Sequence, residues 1–422
     1  MRNWERQMLE ALRAFLFHAP APLLLTEEAD WQRLWVLCQE QKVLPMVVDV
    51  LAPALTRAGS APASLPGVRT QVLRSTAVQL QKNQAFLTLY QDLLQAGLRP
   101  LVVKGAVCRS LYPKPDLRPS ADEDLLILPE ELPEVLELLR ARGFEAARED
   151  GEQVIPCRDG TTGLYLELHR SLFPPASQAY GGLNRFFDEA FDHIFPMNMD
   201  SRMVLTLNPP DHFLYLVLHS FKHFLHSGFG IRQVCDICLF AQTYGQEIPW
   251  DRVSDALGQA RADLFAANLL EIGRRHLGFT RYPERVQAWL DGWQDGLDCG
   301  DLLADLLSGG IYGGSTQTRL HSSRITLNAV SQADRAGRDH RLLRTLFPPR
   351  EDLTGTYPYL KRHRWLLPAA WGQRIWTYLR EGGGSAARES VAIGEQRVAL
   401  LKKYRVIPIT PEGKRGRKSC RF

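Results

Sequence analysis

Residues 101–128 read LVVKGAVCRSLYPKPDLRPSADEDLLIL, and the rest of the chain can be arranged around them. Leu101, Val102 and Val103 form a short apolar run, Lys104-Gly105 makes a turn, and residues 106–112 place Val107 and Leu111 on one helical face. A strand, a glycine turn and a helix in that order leave backbone N–H groups unpaired at the helix start. A phosphate can sit there, and Gly105 lets it approach closely. Lys104 adds a positive charge at the same place. Taken alone the turn says little, because many strand-to-helix turns carry glycine and hold no ligand.

The second half of the stretch says more. Pro113 and Pro115 end the helix, Arg118 follows, and Asp122-Glu123-Asp124 runs into Leu125-Leu126-Ile127-Leu128, the pattern of a buried strand. Side chains two apart on a strand share a face, so Asp122 and Asp124 point one way and Glu123 the other. One reading has these acids capping the strand start in solvent. The other has them sharing a hard cation such as Mg²⁺, whose preference for oxygen ligands suits that spacing.

A third carboxylate favours the second reading. Residues 164–169, LYLELH, alternate so that Leu164, Leu166 and Leu168 face one way and Tyr165, Glu167 and His169 the other. An acid on a neighbouring strand is what an aspartate pair needs to complete a metal site. Between the two strands, residues 129–143 (PEELPEVLELLRARG) form an amphipathic helix with acids in its first turn, arginines in its last and a glycine stop.

The strings VVKG, LYPKPDLRP, ADEDLLIL, ARGF and LYLELHRSL together resemble the uncharacterised nucleotidyltransferase family of the DNA polymerase β superfamily. Residues 219–236 (HSFKHFLHSGFGIRQVCD) and 346–374 (LFPPREDLTGTYPYLKRHRWLLPAAWGQR) extend the likeness, which covers roughly residues 31–404. The resemblance implies an α+β fold: a small mixed-sheet core, a helical N-terminal segment and a mainly α-helical C-terminal region. The expected divisions are a helical segment at 1–70, the core at 71–200, a helical domain at 201–380, and a linker, final helix and tail at 381–422.

It also implies an activity, Mg²⁺-dependent transfer of a nucleoside monophosphate from an NTP to a hydroxyl- or phosphate-bearing small molecule, peptide or protein, with release of pyrophosphate. Asp122, Asp124 and Glu167 would be the catalytic residues and would hold two Mg²⁺ ions. Lys104, Gly105, Arg118, His169, His219, Lys222, His223, Arg232 and Asp236 would contact the nucleotide. Glu123 stands where relatives usually carry an apolar residue, and a core-facing charge needs a partner or an edge position. Two alternatives follow: a nucleotide-binding protein without turnover on the same fold, and an enzyme acting on RNA.

Composition sets wider bounds. The chain has 422 residues, enough for two or three domains, and 45% apolar with 23% charged residues is the mixture of a folded soluble protein. No apolar run approaches the ~20 residues needed to span a bilayer. The N-terminal MRNWERQMLEALRAF spreads its charges through an amphipathic pattern, unlike a secretory signal. Seven scattered cysteines point to a reducing, cytoplasmic setting. The net charge of +4 is concentrated at the end, where residues 414–421 carry five basic side chains and no acid. Such a tail either touches nucleic acid or is a solvated end.

In chain order, helices are expected at 4–17, 31–42 and 43–55, and a long one at 67–97 with an apolar stripe of Val72, Val78, Leu80, Phe86, Leu87, Leu89, Leu93 and Leu94. Residues 171–195 read as connecting structure, and helical spacing resumes over 212–244. His219 and His223 share a helix face with Lys222 beside it. They are zinc ligands lacking an evident third, a pair satisfied in a core, or, as the resemblance implies, residues facing phosphates. Arg232 and Asp236, also four apart, form an intrahelical ion pair or leave Arg232 to grip a phosphate. Cys235 and Cys238 spell C-x-x-C inside a helix and read as buried apolar cysteines. Glycine-rich residues 309–315, polar residues 322–341, a helix at 365–380, a linker at 381–385 and a last helix at 389–404 complete the chain.

Overall fold

The computed structural model describes residues 1–146, 153–177, 179–225, 228–293, 297–309, 353, 357, 359–373 and 397–407. The chain forms two compact units, residues 1–320 and 321–422. In the second, Leu353, Leu360 and Ala370 form a small apolar cluster with Tyr357, Leu366 and Trp371 packed against it. The linker at 381–385 and the tail at 414–421 lie outside the described residues, as do residues 310–315 of the glycine-rich loop and the polar run at 322–341.

The first unit opens with helices α1 (Asn3–Leu16), α2 (Glu28–Glu40), α3 (Leu44–Ala58) and α4 (Leu65–Gln95). Then come β1 (Leu101–Val103), α5 (Gly105–Ser110), β2 (Glu123–Leu126), α6 (Leu132–Ala141), β3 (Phe144–Ala146), β4 (Val154–Asp159) and β5 (Tyr165–His169). A hairpin of β6 (Ile194–Met199) and β7 (Arg202–Leu207) leads into α7 (Pro209–Leu225) and α8 (Ile231–Tyr244). Helices α9 (Trp250–Gln259), α10 (Asp263–Ile272), α11 (Glu284–Asp291) and α12 (Gly300–Gly309) close the unit.

The strands make one mixed seven-stranded sheet in the order β3-β4-β5-β2-β1-β7-β6. This is the α+β architecture expected from the sequence, with more strands than the three that were legible. β1 lies antiparallel to β2, and β2 parallel to β5. That parallel register sets Asp124 directly beside Glu167. Strands β4 and β6 carry Pro156 and Pro196, which obscure a strand pattern; Pro196 sits on the edge strand, where a missing N–H costs no ladder bond.

Burial follows the expected alternation on β5, where Leu164, Leu166 and Leu168 are buried against the core. The stripe expected on α4 is broken in the middle of the helix. Val72, Phe86, Leu87, Leu89 and Leu93 are buried, whereas Val78 and Leu80 are exposed. The buried face between them is polar: Gln79 and Asn83 point toward the loop before β2. Cys235 and Cys238 are free and buried, as are the other described cysteines.

Candidate functional site

A cavity of about 570 Å³ opens beside the C-terminal end of β1 and the start of β2. All twelve residues expected at the site line it: Lys104, Gly105, Arg118, Asp122, Asp124, Glu167, His169, His219, Lys222, His223, Arg232 and Asp236. Asp122, Asp124 and Glu167 come from β2, the residue before it and β5, while α7 and α8 supply His219, Lys222, His223, Arg232 and Asp236.

Asp124 is the centre of the acidic side. Its Oδ1 accepts from the Lys104 ammonium at 2.8 Å and contacts His169 Nε2 at 2.8 Å. His169 Nε2 also lies 3.5 Å from Glu167 Oε2. Burial alone would raise the Asp124 pKa, but Lys104 and His169 hold it well below the ordinary carboxylate range. Burial likewise opposes charge on His169, yet its hydrogen bonds to Asp124 and Glu167 leave its pKa raised.

Asp124, Glu167 and His169 bring ligand atoms within 4.8 Å of one another, so this group is able to bind a metal ion. Asp122 is not in that close group as the side chains lie. It lines the same cavity, and burial followed by the charge of Asp124 raises its pKa. His169 therefore occupies a nearer place than sequence spacing assigned to it.

Glu123 points away from the cavity, as alternation requires, and its charge is met. Arg109 Nη2 donates to Glu123 Oε1 at 2.7 Å, with both side chains nearly inaccessible to solvent. Glu123 also packs beneath the turn, where a Cβ on Gly105 would collide with Oε2 and lie 3.3 Å from Cδ. This close approach favours glycine at 105 over any residue with a Cβ.

The cationic side is set by α8 and by the loop before β2. Asp236 does not pair with Arg232, against the intrahelical expectation; its carboxylate takes Arg118 Nε at 3.0 Å and Nη2 at 2.6 Å. The Tyr112 hydroxyl donates to the same carboxylate at 2.8 Å. Arg232 instead donates to the Pro119 carbonyl oxygen. Burial, then the nearby Arg118, lowers the Arg232 pKa. The loop is pinned from the other side by Ser120 N–H donating to Gln79 Oε1 at 2.8 Å.

Several buried polar atoms around the cavity have no hydrogen-bond partner among the described residues: Arg118 Nη1, Arg232 Nε, Tyr215 Oη and His219 Nδ1. His219 and His223 meet through their Nε2 atoms at 2.8 Å. His219 is held neutral, chiefly by burial and then by Lys104. Lys222 has a lowered pKa from burial and from Lys104. A zinc site on this histidine pair would need a third ligand, and the metal-capable group among the described residues lies on the sheet.

Sequence reasoning missed His212, Tyr215, Gln79 and Asn83. Lys104 has φ +57, a backbone state that favours glycine, and its N–H donates to His212 Nε2 at 3.2 Å. Nothing local in the sequence marks His212 for this, since it lies 108 residues away.

The sequence model of a family described as "Uncharacterised nucleotidyltransferase" matches residues 27–278, more than half of the chain. No curated protein matches. Among solved structures, an antigenic nucleotidyltransferase-like protein from Paracoccidioides brasiliensis is 16% identical, with 45% of this chain and 92% of that chain covered and a TM-score of 0.29. A tRNA nucleotidyltransferase complexed with a primer tRNA and an incoming ATP analog is 15% identical, with 75% of this chain and 98% of that chain covered and a TM-score of 0.24.

Proposed function

Because the chain belongs to the uncharacterised nucleotidyltransferase family, we propose that it moves a nucleoside monophosphate from an NTP to a hydroxyl- or phosphate-bearing acceptor, using Mg²⁺ at Asp122, Asp124 and Glu167. The observation that carries this reading is the division of one cavity into an acidic wall and a cationic wall that holds buried donors without partners. Carboxylates suit a hard cation, and unpartnered guanidinium N–H groups suit phosphate oxygens.

The donor set fits Mg²⁺ better than a softer ion. Asp122, Asp124 and Glu167 face the cavity from its acidic wall, while the His169 nitrogen is engaged with Asp124. His169 then orients the carboxylates instead of ligating. When bound, two such ions would polarise the α-phosphate and lower the pKa of the acceptor hydroxyl.

The chain's own groups do the rest. Gly105 keeps the turn open to the triphosphate, and Lys104 beside it neutralises phosphate charge. Arg118, fixed by Asp236, and Arg232, fixed by Pro119, complete the phosphate wall from the opposite side. Lys222 and the His219–His223 pair face the same space. Pre-set donors of this kind stabilise the charge that develops on the bridging oxygen as it departs with pyrophosphate.

The acceptor in this reading is a small molecule, peptide or protein. Free, buried cysteines at the described positions support a reducing, cytoplasmic setting, and no helix among the described residues is long and apolar enough to cross a membrane. The alternative of a binder without turnover drew on Glu123, whose charge is matched by Arg109.

The test is pyrophosphate release from each of the four NTPs with Mg²⁺ and a cell extract as acceptor source. Wild-type protein should release it and Asp124→Asn and Glu167→Gln should not. Equal release by Asp124→Asn would remove the carboxylates from the chemistry.

A further inference from the structure

One oxygen of the acidic wall is already in contact with a cation. Asp124 Oδ1 lies 2.8 Å from Lys104 Nζ, with the aspartate 2% exposed and the lysine 17%. Water screens so buried a contact poorly. Asp124 is also a member of the close group that can bind metal. An ammonium and a divalent ion cannot both sit against the same oxygen without strong repulsion, so one must leave for the other to enter.

The backbone beneath the ammonium is fixed. Lys104 has φ +57 and ψ −112, an uncommon state for a residue with a side chain. A chain of hydrogen bonds fixes it. The Thr206 hydroxyl donates to Val102 O at 2.6 Å, so His212 Nδ1–H must donate to Thr206 Oγ1 at 3.0 Å. His212 Nε2 is then the acceptor for the Lys104 N–H at 3.2 Å. Burial, which lowers the His212 pKa to about 3, keeps this tautomer neutral. The peptide is fixed, and only the rotatable four-carbon side chain above it has to turn for the ammonium to change partners.

We propose that Lys104 is a tethered counter-ion, which takes the place of metal charge at Asp124 in the resting protein and moves onto the phosphates when an NTP arrives. The inference rests on the function proposed above and adds a coupling to it. Metal binds weakly without nucleotide, because it must displace Lys104. A triphosphate offers the ammonium another partner and so opens Asp124 to metal. By reciprocity, metal strengthens nucleotide binding by the same factor.

Mn²⁺ binding to the full chain, followed by the electron paramagnetic resonance of the unbound ion, tests this with and without α,β-methylene-ATP. Once the Mn²⁺ held by the analogue alone is subtracted, wild-type protein should bind Mn²⁺ about tenfold more tightly with the analogue than without it. Lys104→Met should bind Mn²⁺ about tenfold more tightly than wild type in the absence of nucleotide, and the coupling should shrink by the same factor. Lys104→Gly serves as a second variant, since glycine suits φ +57 and guards against misfolding in the first. Lys104→Arg, which keeps the charge, should retain the coupling.

Mn²⁺ affinity in both Lys104→Met and Lys104→Gly that is equal to or weaker than wild type overturns the inference. Should Mn²⁺ bind wild type and Asp124→Asn alike, or bind neither with or without the analogue, the metal reading of the site falls and takes the inference with it. Should Mn²⁺ binding need Asp124 yet ignore Lys104, only the inference falls.

Discussion

Gly105 and Glu123 occupy one space: the bare Cα of the glycine lies against a carboxylate that Arg109 holds from below at 2.7 Å. The pair joins the turn under the proposed nucleotide to the strand that carries Asp124. Gly105→Ala should destabilise the protein by about 1–3 kcal/mol, because a methyl has to push a buried, ion-paired carboxylate aside. Glu123→Ala alone should cost about 3–5 kcal/mol by leaving Arg109 charged and unpaired. The double variant should be less damaged than the sum, and urea unfolding of the four proteins measures that coupling. Strict additivity would show that the two residues do not press on each other.

The Arg118–Asp236 pair predicts a different pattern. Both side chains are almost fully buried and two hydrogen bonds join them. Asp236→Ala should therefore cost about 3–5 kcal/mol in stability. Asp236→Asn, which keeps the shape and accepts one bond, should cost less. In both, Arg118 loses its fixed geometry, so NTP affinity should fall along with stability. An Asp236→Asn protein that binds NTP as wild type does would separate Arg118 from the phosphate site.

Acid sensitivity follows from the buried imidazoles. His212 has its pKa lowered to about 3 by burial, and His219 is also held neutral by burial and by Lys104. In the unfolded chain both take up a proton near pH 6.5, so the unfolded state binds more protons as pH falls and is favoured there. Each such histidine should remove about 1.4 kcal/mol per pH unit below that point. His169 acts in the opposite sense, because its raised pKa contributes stability below pH 6.5 that is lost as pH rises through its folded value. Stability measured between pH 7 and 5 should fall steeply, and His212→Phe should flatten the slope by roughly one proton. An unchanged slope in that variant would place a charged or solvated imidazole at 212.

What could be read from the sequence was set by local periodicity. The two-residue repeat of a strand put Asp122 and Asp124 on one face with Glu123 opposite, and it put Glu167 and His169 together on the next strand. Asp124 and Glu167 are then register partners across β2 and β5. Contacts between distant segments could not be read this way. Asp236 lies four residues from Arg232, which invites an intrahelical pair, yet its partner Arg118 is 118 residues away. His212 reaches Lys104 across the sheet with no motif to announce it. Hydrophobic pattern misled on α4, where Val78 and Leu80 face out because Gln79 and Asn83 are needed to hold the loop before β2.

Arg232 gives the sharpest test of the phosphate wall. One guanidinium nitrogen donates to the Pro119 carbonyl, while Nε is buried and has no partner among the described residues. A buried donor left unpaired is costly, and a phosphate oxygen would relieve it. Lysine keeps the charge but cannot hold the Pro119 carbonyl and a phosphate oxygen at once. Arg232→Lys should therefore raise the KM for NTP about 10–100-fold, the value of one charge-assisted hydrogen bond at ~1.5–3 kcal/mol. Arg232→Met should raise it further and also slow turnover, because charge on the departing pyrophosphate goes unmet. Steady-state kinetics on both variants separate the two effects. A KM for Arg232→Lys within about twofold of wild type would mean that Arg232 only braces the loop at Pro119 and leaves the phosphates to Lys104 and Arg118.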